Sequence, residues 1–113
     1  MYLVEAIVSY DGQVRPYLND DRKTIVLTDV PHVAVKAAME AEALTTDDGR
    51  IVTQATVKRL CVGVFYGDLV AAPIVFERKR RTRQTGEGGW GNSVYTDGYD
   101  EIYHDEEFRN LSA

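Results

Sequence analysis

Cysteine is nearly absent from this chain: Cys61 is the only one in 113 residues. No intrachain disulfide can form and no cysteine cluster can hold a metal, so stability has to come from packing. Histidine is scarce as well, and His32 and His104 are not at helical spacing. His32 reads as a surface residue of a first helical turn. His104 with Asp105, Glu106 and Glu107 offers donors, but adjacent positions do not converge on a tetrahedral ion. "TDGYDEIYHDEE" also misses the calcium-loop pattern. Neither a metal nor a cofactor is expected. No apolar run approaches the roughly 18 to 20 residues needed to cross a bilayer. The opening "MYLVEAIVSY" lacks a basic segment, a signal-type apolar segment and a small-residue cleavage site. These absences point to a cytoplasmic protein without membrane contact. Nucleophilic contexts are missing too. Cys61 lies in an apolar strand run, where a thiol behaves as a small buried hydrophobe, and Ser9 and Ser93 have no elbow or triad around them. The chain is read as non-catalytic, with no catalytic residue assigned.

What is present is an ordinary globular composition, 44% apolar and 27% charged, in a length suited to one modest core. The net charge of −5 is unevenly laid out. Residues 1–76 carry seven Lys/Arg against ten Asp/Glu, residues 77–84 five against one, and residues 85–113 one against seven. A basic block is followed directly by an acidic one.

Local patterns give a coarse architecture. "YLVEAIVSYDGQVRPYL" reads as two extended segments around Asp11-Gly12, a pair that supplies the positive φ of a tight hairpin turn. Pro16 keeps the second segment short or at an edge. "KTIVLTD" is the next strand, rich in β-branched residues, and Asp29 before Pro31 is placed to cap a helix. In "VPHVAVKAAMEAEAL", the residues Val30, Val33, Ala34, Ala37, Ala41 and Leu44 share one side, while Val35 and Met39 fall roughly opposite. That second pair is either a small partner patch or is covered by a loop or by the C-terminal extension. "ATVKRLCVGVFYGDLVAAPIVFERK" gives two apolar arms around Tyr66 to Leu69, the first apolar on both faces and therefore central in the sheet. The expectation is an α+β domain: a small, mainly antiparallel sheet of about five strands, in the order βββαββ, covered by one helix. Residues 1–84 form the core domain. Residues 85–113 form a Gly-rich loop and an acidic-aromatic extension.

Three stretches carry possible chemistry. "GEGGWG" satisfies G-x-G-x-x-G through Gly86, Gly88 and Gly91, but "NSVYTDGYD" after it has no helical period, so it reads as a loop carrying Trp90 rather than a nucleotide site. "ERKRRTR" places Arg78, Lys79, Arg80, Arg81 and Arg83 after an apolar strand end; as a ribbon it would bind phosphate, or it would pair with the acidic block beside it. In "YTDGYDEIYHDEEF" the acids Asp97, Asp100, Glu101, Asp105, Glu106 and Glu107 alternate with Tyr95, Tyr99, Tyr103 and Phe108. A solubilising tail has little use for aromatics, whereas tyrosine is a frequent contact residue in interfaces. The favoured reading is a protein-binding module whose Trp90 loop and acidic-aromatic extension meet a protein with a basic surface or a neighbouring subunit. A compact inhibitor of a nucleic-acid-handling protein, of the sort phages and other mobile elements encode, is one version. The alternatives are a nucleic-acid binder using residues 78–83 and an assembly subunit whose extension docks on a neighbour.

Overall fold

The structure, a computed structural model, describes residues 1–9, 21–43, 50–61, 72–84 and 93–113. It is an α+β fold, as expected, with an antiparallel sheet in the order β2-β1-β3-β4-β5. The strands are β1 (Tyr2–Ser9), β2 (Asp21–Thr28), β3 (Ile51–Arg59), β4 (Ile74–Gln84) and β5 (Ser93–Tyr103). The helix α1 (Pro31–Glu40), continued by a 3-10 turn at Ala41–Ala43, joins β2 to β3, and the short helix α2 (Glu106–Ser112) follows β5. The turns expected at Asp11-Gly12 and at Tyr66 to Leu69, and the glycine-rich loop 86–91, lie outside the described residues.

Alternation builds the core on one face. Tyr2, Val4, Ala6 and Val8 of β1 point to the same side as Ala55 and Val57 of β3 and Phe76 of β4, and all are buried beneath α1. β3 pairs with both β1 and β4, so the arm read as apolar on both faces is indeed central.

The helix sits differently from its expected wheel. Its buried residues are Ala34, Val35 and Ala38, followed by Ala41 in the 3-10 turn, while Val30 and Val33 stay exposed. Alanines at i, i+4 and i+7 let the backbone approach the sheet closely, and this outweighs the larger area of the two valines. The stripe therefore turns towards Val35, and Met39 packs partly buried against the same core. α2 lies beside α1, so this side of the helix is covered rather than presented to a partner. Asp29 is not the cap: Val30 occupies that position, and its N–H donates to Thr28 Oγ1 at 3.1 Å. Cys61 also departs from expectation, because β3 stops at Arg59 and leaves the thiol exposed beyond the strand end.

The C-terminal segment belongs to this core. Phe108 is fully buried, its ring 4.9 Å from that of Tyr2 and 6.4 Å from that of Tyr103, and the Phe76 ring meets that of Tyr103 at a tilt with 4.8 Å between centres. Asp105 positions α2 twice: Oδ1 accepts from Phe108 N at 2.9 Å, and Oδ2 meets Arg59 Nη1 at 3.1 Å.

Candidate functional site: the β4-β5 hairpin

The basic and acidic blocks are the two strands of one antiparallel hairpin. Arg78 lies opposite Glu101, Lys79 opposite Asp100, and Arg80 opposite Tyr99. Opposite charges at facing positions favour this register over its neighbours. Arg78 is the most constrained of these cations. Its Nε lies 3.4 Å from Glu101 Oε1, its Nη1 donates to the Met39 carbonyl at 2.9 Å, and its guanidinium sits 4.1 Å from the Tyr99 ring centre. The Met39 carbonyl is in the last turn of α1, where backbone acceptors lack helical partners and a cation is favourable. One arginine thus ties helix, β4 and β5 together.

Beyond this base the register slips between Arg80 and Thr82, where β5 carries extra residues around Gly98. Gly98 has φ of 104°, a backbone state that a side chain disfavours. Arg81 clamps the bulge from the side, with Nε to Asp100 Oδ1 at 2.8 Å and Nη2 to the Tyr99 carbonyl at 3.3 Å. Tyr99 itself donates its hydroxyl to the Val52 carbonyl at 2.9 Å. The last pair between β3 and β4 is Gln54 with Lys79. From there, among the described residues, 80–84 pair with residues 93–99 and with no other strand, and the hairpin continues as a two-stranded ribbon.

The residues expected to form a contact face are dispersed by this arrangement. Tyr95 and Asp97 lie on the ribbon, Thr82 facing Tyr95. Tyr99 and Tyr103 anchor the hairpin to the sheet and the aromatic core, and Phe108 is interior. Asp100, Glu101 and Asp105 are paired with Arg81, Arg78 and Arg59. Glu106 and Glu107 are exposed in the first turn of α2, and Trp90 is outside the described residues. Of the basic set, Arg78 and Arg81 are held as above, Arg80 lies 5.7 Å from the Tyr99 ring, and Arg83 faces Val94 on the ribbon. His104 Nε2 is 3.4 Å from Glu77 Oε1; among the described residues no three His, Cys, Asp or Glu side chains form a group that could hold a metal ion. No helix among them is long and apolar enough to cross a membrane.

Sequence reasoning missed a second polar constellation, on the sheet face away from α1. Lys58 Nζ meets Glu5 Oε1 at 3.1 Å, both side chains being largely buried, and Gln54 donates to Glu77 at 3.0 Å beside them. The available signal was a charge interrupting an apolar stretch in each of two neighbouring strands, "LVEAIV" and "ATVKRL". Compared with protein-family models, curated proteins and solved structures, the chain has no match.

Proposed function

We propose that this is a non-catalytic binding module that engages a protein partner through the β4-β5 ribbon and the mixed-charge base from which it leaves the sheet. The observation carrying the reading is the ribbon's continuation past the last β3-β4 pair, where β5 is the one strand alongside β4 among the described residues. A two-stranded hairpin is marginal in water without a third strand or a packed face, so a chain that keeps one in this form has reason to dock it. At the base, Asp100 and Glu101 stay about half exposed although paired, and present acids next to arginines. Charge of this kind speeds encounter and selects partners more than it adds affinity. A partner with basic groups opposite these acids, whether another protein or a neighbouring copy, fits the reading.

A nucleic-acid ligand is the second reading, favoured by the run Arg80, Arg81 and Arg83 on β4, of which Arg81 is paired with Asp100. A two-stranded ribbon fits a major groove. Excising residues 81–98 and joining Arg80 to Tyr99, which face each other, by Asn-Gly gives a two-residue hairpin turn and keeps Arg78, Tyr99 and the core. The variant is expected to keep its fold and lose the partner that the intact chain captures. Capture that survives excision removes the ribbon from the account. Loss of retention on nucleic acid with a steep salt dependence moves the assignment to the second reading. A change in native mass on excision identifies the neighbouring copy as the partner.

A further inference from the structure

The sheet face away from α1 is ordered around a buried charge pair. Across the strands, Lys58 faces Leu3 and Ile74, Glu5 faces Thr24 and Thr56, and Ile7 faces Arg22 and Gln54. Glu5, Thr56 and Lys58 are buried, Lys58 retaining 5% of its surface. In front of them lies a cavity of about 200 Å³, with Ile7 and Ile74 as apolar walls and Arg22 of the edge strand on its lining. Stability alone is a weak reason for this arrangement. A buried ion pair seldom outperforms apolar side chains of the same volume, because removing two charges from water offsets their attraction.

On the lining itself Lys58 meets Glu5 at 3.1 Å and Arg22 adds a second cation, while the neighbouring Glu77 is engaged by Gln54 at 3.0 Å and by His104 at 3.4 Å. We propose that the cavity binds a small organic monocarboxylate, its carboxylate held by Arg22 beside the Lys58 ammonium and its short aliphatic body lying between Ile7 and Ile74. Guanidinium and carboxylate match as a planar, bidentate pair. A dianion such as phosphate is disfavoured by the Glu5 carboxylate and has no body for the apolar walls. A ligand ammonium gains little, since Glu5 already has its cation. The volume is well above what a single water needs and admits a short-chain acid such as butyrate.

The test is an amide chemical-shift titration of the full chain at fixed ionic strength with butyrate, the uncharged butyramide and inorganic phosphate. Butyrate is expected to give saturating shifts at Glu5, Ile7, Thr56 and Lys58 and to bind at least about tenfold tighter than butyramide. Arg22 is exposed and on an edge strand, so Arg22→Ala is expected to remove that tenfold gap without moving the melting temperature, while Arg22→Lys restores part of it. Shifts that never saturate, equal binding of acid and amide, phosphate binding as tight as butyrate, or butyrate affinity unchanged in Arg22→Ala would each overturn the proposal. The result is independent of the ribbon, whose excision leaves every residue of this cavity in place.

Discussion

Replacing Phe108 by alanine separates an extension from a core element. The ring is fully buried, packed against Tyr2 of the first strand and Tyr103 of the last. Phe→Ala in a packed core loses the transfer free energy of the ring and leaves a cavity, together about 3–5 kcal/mol. The site closes poorly, because the neighbours are the bulky rings of Tyr2 and Tyr103, so the expected loss is ~4 kcal/mol. For a domain of this size that is a fall in Tm of roughly 15 °C, at about 4 °C per kcal/mol. Urea unfolding should report a lower midpoint at unchanged slope. Leu111→Ala on the same helix, at a half-exposed position, should stay within ~0.5 kcal/mol. If Phe108→Ala lies within ~1 kcal/mol of the parent, the C-terminal segment is not part of the core and the packing described here is wrong. For the same reason, removing residues 95–113 is expected to unfold the domain, not to leave a stable body lacking only its partner.

Three further outcomes follow from single contacts. Lys58→Met strands the buried Glu5 carboxylate and should cost about 3–5 kcal/mol, whereas Glu5→Leu with Lys58→Met should recover most of it; equal melts for the single and double variants would remove the pair from the account. Gly98→Ala forces a side chain into φ of 104° and should cost about 1–2 kcal/mol. Its hypothetical Cβ meets the Arg81 guanidinium only at ordinary contact distance, 3.6 Å, so a neutral result would mean that the bulge is not formed. Asp105→Ala loses the cap on α2 and the Arg59 contact and should cost about 1–2 kcal/mol in thermal melts, against nothing if α2 is docked by Phe108 alone.

The α+β class was legible because the apolar β1 runs into Asp11-Gly12, α1 follows Pro31 with a helical repeat, and β3 declared its central place by being apolar on both faces. The helix face was misjudged because a wheel weighs size, while the sheet selected Ala34 and Ala38 for close approach. The C-terminal segment was misread as an appendage because charge hides strand pattern. In "RKRRTR" and "DGYDEIY" no apolar alternation marks the strands, and their pairing is written instead as opposite charge across the hairpin. The same facing of charges is the intrachain pairing weighed for the basic block from composition. Tyr99, Tyr103 and Phe108 looked like contact residues because nothing local distinguishes an aromatic that faces a partner from one that returns to its own core. Glu5 and Lys58 are 53 positions apart in the chain, and only strand pairing brings them together.

The central claim is that oppositely charged stretches at the end of the chain are neighbouring strands. A nuclear Overhauser spectrum of the isolated protein tests it most directly. The account expects backbone contacts between residues facing across the hairpin, Glu77 with Ile102 at the base and Thr82 with Tyr95 on the ribbon. Intraresidue and sequential contacts alone for residues 93–103, with shifts at random-coil values, would contradict it.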